Sequence, residues 1–76
     1  MNNEFKNKVV LITGSSSGLG FNLSKFFLND GAKVIGISRK KNTLLNKNKK
    51  FKHICFDLTN FKKYESLFSK IPKLFG

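Results

Sequence analysis

Eight residues, Thr13-Gly14-Ser15-Ser16-Ser17-Gly18-Leu19-Gly20, carry the clearest chemical signal in the chain. A phosphate is bound by main-chain N–H groups that converge on it, and glycines let the backbone come close where a Cβ would stand in the way. A helix starting at the same point adds unpaired N–H groups and the positive end of its dipole. In such a loop Gly14 makes the tight turn, Gly18 the close approach and Gly20 the contact of helix on strand. Ser16, Ser17 and Leu19 complete the candidate binding loop. The segment is not a P-loop, because that pattern, counted from Gly14, needs Gly, Lys and a hydroxyl residue where the chain has Leu19, Gly20 and Phe21. Taken alone it is as much a Gly/Ser turn without a ligand, so its placement decides.

The elements around it must be a strand and a helix. Residues 8–13 are a β-branched apolar run, which predicts a short strand buried on both faces and hence a parallel sheet. Leu19, Leu23, Phe26 and Phe27 fall at i, i+4, i+7 and i+8, which predicts one apolar helix face, ended by Asn29-Asp30-Gly31. Residues 33–38 predict a second strand. A basic link with a helical turn around Asn42 to Asn46 leads to a third at about Lys52 to Phe56. Thr59 or Asn60 then caps a helix with Phe61, Tyr64, Leu67, Phe68 and Ile71 on one face, until Pro72 ends it. The expected architecture is α/β, the N-terminal half of a Rossmann-like doubly wound parallel sheet with strand order 3-2-1. In that order the first strand is an open apolar edge, which whole proteins avoid. The expectation is a partial domain over residues 1–76, cut before a fourth strand.

The context makes the glycine-rich turn a dinucleotide site. A predicted strand precedes it and an amphipathic helix follows. Arg39, at the end of the second strand, stands 19 residues beyond Gly20, close to the offset of about 20 at which ribose is read. An acidic residue at that end accepts hydrogen bonds from the ribose of NAD and repels the 2′-phosphate of NADP. This chain has Ser38 and Arg39, followed by Lys40 and Lys41. A guanidinium binds a phosphate through two parallel hydrogen bonds, and Arg39 is the only Arg beside fourteen Lys. NADP is therefore expected in preference to NAD; the competing reading is that Arg39 belongs to a solvated basic loop.

These residues resemble the short-chain dehydrogenases/reductases. Thr13 to Gly20 matches the family's TGxxxGxG signature, and the likeness continues through Asp30-Gly31-Ala32-Lys33-Val34-Ile35, Ser38-Arg39 and Asp57-Leu58-Thr59. The resemblance spans about Phe5 to Gly76. It implies that Gly14, Gly18, Leu19 and Gly20 contact the pyrophosphate, that Asp57 holds the adenine amino group and that Leu58 lies against the ring. It also implies an oxidoreductase passing hydride between NADP(H) and a carbonyl or alcohol, homo-oligomeric in its full-length form. Asp57 is alternatively a turn or helix-start residue. Many NADP-using relatives carry Lys or Arg just before the second glycine, where this chain has Ser17.

The family's chemistry also needs a Tyr with a Lys four residues later and a substrate-orienting Ser. Tyr64, the only tyrosine, is followed four residues on by Phe68, so YxxxK is absent and Tyr64 is read as part of a helix face. No catalytic residue is assigned, and no His/Cys/Asp/Glu cluster has metal-ligand spacing. His53 is read as a solvated or strand-edge histidine, and Cys55 as a small buried thiol in a reducing compartment.

Composition bounds the alternatives. With 76 residues and one Cys, the chain has no disulfide framework and its stability in isolation should be marginal. The longest aliphatic run, Val9 to Ile12, is too short for a signal core or a membrane span, and a cytoplasmic location without membrane partners is expected. The net charge of +11 raises nucleic acid as a partner. Lys, Asn and Phe make up 32 of the 76 residues, the amino acids of A/T-only codons, so much of the charge is compositional drift. Residues 39–52 concentrate seven cations and no acid, but Phe51 is their one aromatic, and nucleic-acid binding ranks low. The reading outside catalysis is a nucleotide-binding module or a decayed remnant of such an enzyme.

Overall fold

The computed structural model describes residues 4–14, 18–40 and 45–75. Three strands, β1 (Val9–Thr13), β2 (Lys33–Ser38) and β3 (Phe51–Cys55), form one parallel sheet in the order β1-β2-β3. Helix α1 (Gly18–Asn29) joins β1 to β2, and helix α2 (Tyr64–Lys70) follows β3. This is the expected strand order, with β2 central. The strand bounds differ from expectation only at their ends; of the helical turn expected around Asn42 to Asn46, residues 42–44 lie outside the described residues, and Leu45–Lys47 form a 3-10 turn.

Alternation along the strands explains the two layers. Ile12, Val34 and Phe51 project to one face and pack with Leu45 beneath Phe21, Phe27 and Leu28, the last three from α1. Ile35, Ile37 and Ile54 project to the other and pack with Leu67 of α2, with Phe56, Ile71, Leu74 and Phe75 around them. Only β2 is buried without a break on both faces, from Val34 to Ser38. β1 is not: Ile12 is buried and Val10 half-buried toward α1, whereas Val9 and Leu11 are exposed on the side where α2 covers β2 and β3 instead.

Helix α1 turns a different face inward than periodicity predicted, whereas α2 turns its expected face inward through Tyr64, Leu67 and, just beyond its end, Ile71. In α1 the inward residues are Phe21, Ser24, Phe27 and Leu28, while Leu19, Leu23 and Phe26 are exposed. Ser24 is fully buried because its hydroxyl donates to the Gly20 carbonyl one turn back, at 2.8 Å, which removes the cost of burying it. In α2 only Leu67 is buried, and Phe61 and Phe68 are exposed. The element also starts late. Neither Thr59 nor Asn60 caps it; a 3-10 turn over Phe61–Lys63 leads in, and another, Ile71–Lys73, carries Pro72 after the α-helix has ended.

The stop after α1 is a Schellman closure. Ala32 N–H donates to the Phe27 carbonyl and Gly31 N–H to that of Leu28, with Gly31 left-handed at φ +88°. A Cβ there would lie 3.2 Å from Lys6 Cγ, a tight contact that a small shift of the lysine side chain relieves, so the left-handed conformation is what calls for glycine. Asp30 beside it is buried, and its Oδ2 accepts the Phe5 N–H at 3.2 Å, tying the first turn to the end of α1. No described helix is long and apolar enough to cross a membrane.

The inward and outward sets separate by mutation. Ile35→Ala should cost about 2–5 kcal/mol, because Ile35 is almost wholly buried in the central strand, whereas Phe61→Ala should stay within about 0.5 kcal/mol. Urea denaturation of the two variants checks it, and comparable losses would show that Phe61 is packed in solution.

Candidate functional site

In a parallel sheet the carboxyl ends of all strands lie on one rim, and the loops leaving them converge there. Gly14 follows β1, Ser38 ends β2 with Arg39 and Lys40 beyond it, and Phe56-Asp57-Leu58-Thr59 follow β3. These residues, with Ile37, line one open cleft of about 600 Å³. Of the residues singled out in the sequence, Gly14, Ser38, Arg39, Asp57 and Leu58 meet in this cleft. Gly18, Leu19 and Gly20 open α1 and do not line it; Ser16 and Ser17 lie outside the described residues. Lining residues that sequence reasoning did not assign to the site are Ile37, Phe56 and Thr59, and Lys40 joins Arg39 on the cationic side.

The glycine positions have the geometry of a cradle. Gly14 and Gly18 are left-handed at φ +66° and +58°, and a Cβ built on either meets nothing within 4 Å. The space at these two Cβ positions is open, and the conformation is one that L side chains seldom adopt. Gly14 N–H is spent on the Ile37 carbonyl at 2.8 Å, which fixes the turn against β2. The first N–H groups of α1, from Gly18 onward, have no partner within the helix by its geometry.

On the far wall, Asp57 closes an Asx turn. Its Oδ1 accepts the Thr59 N–H at 2.9 Å and the Thr59 hydroxyl at 2.8 Å, while Asn60 N–H donates to the Asp57 carbonyl. These bonds, the backbone one first, hold the Asp57 carboxyl below its ordinary value, and Arg39 across the cleft pulls in the same direction. The turn reading of Asp57 is therefore realised, with Oδ1 as the oxygen engaged. Tyr64 braces the same loop. Its hydroxyl donates to the Leu58 carbonyl and its ring packs against Phe56, Phe61 and Phe68, so it is half-buried helix face, as the sequence implied.

One expectation at the third strand is corrected: Cys55, at the end of the outer strand, is exposed and not buried. His53 takes the strand-edge role of the two expected for it. It is half-buried beside Phe51, with Nε2 2.7 Å from Ser38 Oγ and Nδ1 3.7 Å from Cys55 Sγ.

The cleft thus offers two cationic side chains, an ionised carboxylate and an apolar floor of Ile37, Phe56 and Leu58. Such a surface suits a flat ring with anionic groups attached. A model of the short chain dehydrogenase family matches residues 8–76. An uncharacterised oxidoreductase of Schizosaccharomyces pombe is 40% identical over 67 residues, covering 88% of this chain and 23% of the relative. A short chain dehydrogenase of Leptospira borgpetersenii, solved with bound NAD+, is 32% identical at a TM-score of 0.85, covering 95% of this chain and 28% of that one. A 4-hydroxyisoleucine dehydrogenase complexed with NADH is 31% identical at 0.74, covering 90% of this chain and 29% of that one. The chain spans less than a third of the length of these relatives.

Because Asp57 has a lowered pKa, the stabilisation of its turn is complete above the ordinary carboxylate range and is lost as pH falls through the lowered value. Thr59→Val removes the hydroxyl donor and keeps the N–H, so the Asp57 midpoint should rise toward the ordinary value without reaching it. Carboxylate NMR titration reads this, and an unmoved midpoint would show that the hydroxyl contributes nothing.

Proposed function

The chain belongs to the short-chain dehydrogenase family, and from that premise we propose that it is the NADP-binding segment of an oxidoreductase acting on a carbonyl or alcohol. The residues fit the cofactor. The open space over left-handed Gly14 and Gly18 accepts a pyrophosphate, with the first N–H groups of α1, at Gly18, Leu19 and Gly20, as donors. Ser16 and Ser17 belong to the same loop in sequence. Leu58 supplies an apolar surface for the adenine ring, and Asp57 an acceptor for its amino group. When bound, the cofactor supplies the hydride; this segment binds it and fixes its orientation.

The observation that carries NADP rather than NAD is the end of β2, where Arg39 and Lys40 line the cleft and the strand end itself, Ser38 to Lys40, carries no acid. A carboxylate there would repel a 2′-phosphate, whereas the guanidinium forks around it. The competing choice is NAD, which rests on the Leptospira dehydrogenase with NAD+ and the 4-hydroxyisoleucine dehydrogenase with NADH. In the family, proton transfer to a substrate oxygen falls to a YxxxK pair, which these 76 residues do not contain, with a Ser that orients the substrate.

Arg39→Ala decides between the cofactors. A charge-assisted pair contributes about 1.5–3 kcal/mol, so NADPH affinity should fall roughly 10- to 100-fold while NADH changes less than about threefold. Fluorescence titration with each nucleotide measures it. Equal loss for both would remove the 2′-phosphate role of Arg39, and tighter NADH binding by the unmodified protein would favour NAD.

A further inference from the structure

Ser38 and His53 are joined in a way that the cofactor reading does not use. Ser38 Oγ lies 2.6 Å from the Lys40 carbonyl and 2.7 Å from His53 Nε2. A hydroxyl has one proton, and a carbonyl can only accept. Ser38 must therefore donate to Lys40, which leaves its lone pair for His53 and makes Nε2–H the donor to Ser38. In the neutral ring Nδ1 is then the acceptor, and it faces the Cys55 thiol at 3.7 Å, a group able to donate to it. The chain of donors runs one way, from Cys55 through His53 and Ser38 to the main chain at Lys40.

Topology brings these residues together. Ser38 and His53 project to the same face of the sheet, and the register partner of His53 is Gly36, which contributes no side chain between them. Ser38 is 9% exposed, so a hydroxyl with no partner there would be costly, and its bond to Lys40 folds the chain back just after the strand ends. That fold sets the path of Arg39 and Lys40 along the cleft wall.

We propose that His53 is a positioning residue of the cofactor cleft: as the Nε2–H tautomer it directs the Ser38 hydroxyl onto the Lys40 carbonyl and so holds the Arg39–Lys40 turn in the form that discriminates the 2′-phosphate. This rests on the NADP reading and adds a residue outside the cleft lining to it. Ser38 is then a support of the turn, and its proton is committed to the main chain instead of the ribose. A Gln side chain can place an amide N–H near the Nε2 position, whereas Leu fills the volume with no donor.

Two measurements on the full-length protein test it. Nitrogen-15 shifts of the neutral His53 ring should show Nε2–H with Nδ1 accepting, and a ring protonated at Nδ1 overturns the proposal whatever the cleft binds. Nucleotide titrations then read the turn. His53→Leu should weaken NADPH about tenfold and NADH less than about twofold, His53→Gln should keep most of the NADPH affinity, and His53→Leu should cost nothing further in an Arg39→Ala background. Equal weakening of both nucleotides, or a loss that persists without Arg39, makes His53 merely structural and overturns the proposal. Failure of the NADP reading looks different: Arg39→Ala alone would leave the NADPH to NADH ratio unmoved, and the positioning role would fall with it.

Discussion

Everything in this structure hangs on β2. It is hydrogen-bonded along both edges and covered on both faces, and its burial runs unbroken from Val34 to Ser38. α1 packs on one side of it and α2 on the other. A central strand of that kind leaves no main-chain group for water, so every residue leaving it must have its polar groups satisfied at once. Ile37 and Ser38 do so by accepting the N–H groups of Gly14 and Phe56 from the two neighbouring strands. The same two bonds fix where the β1 and β3 loops leave the sheet, and so where the cleft walls stand.

The cleft is accordingly a by-product of sheet geometry, and its chemistry is a matter of which residues occupy three loop starts. Each loop is held by a local device of its own: a left-handed glycine after β1, the Ser38 hydroxyl after β2 and the Asp57 Asx turn after β3. None of these uses a long-range ion pair. The functional groups left facing the cleft, the Arg39 and Lys40 cations and the apolar surface of Leu58, are therefore free of structural duty at their tips. Such a division suits a site that must bind a large ligand without unfolding its own walls.

How far this was legible in sequence follows the range of the interaction involved. β2 was readable to the residue, because a β-branched run bracketed by Gly31 and Arg39 has one interpretation. Gly14, Gly18 and the Schellman stop at Gly31 were readable because a left-handed conformation favours glycine. The face of α1 was not. α1 carries Leu19, Phe21, Leu23, Phe26, Phe27 and Leu28, apolar over most of its circumference, so a hydrophobic period exists for more than one face and cannot choose the one that packs. The deciding feature is Ser24, whose hydroxyl is satisfied within the helix and whose small size admits close contact with the sheet. The His53–Ser38 pair was invisible for another reason: fifteen residues separate its members, and only the parallel register of β2 and β3 makes them neighbours. Cys55 was misread because an apolar run does not show which of its positions are covered: Phe51 and Ile54 of the same strand are buried and Cys55 is exposed.

Charge acts here at two ranges that must be kept apart. The +11 on this chain comes almost wholly from Lys, whose ammonium is a strongly hydrated point charge. At physiological ionic strength such charges are screened beyond about 8 Å, so they attract any anion to the surface and distinguish none. Discrimination needs a donor fork in a fixed place, at short range and backed by apolar surface. Only the end of β2 combines these, with a single guanidinium, a carboxylate across the cleft and a turn whose carbonyl is already bonded. The field of lysines would speed the arrival of an anionic nucleotide, whereas one arginine on one turn would decide which nucleotide stays.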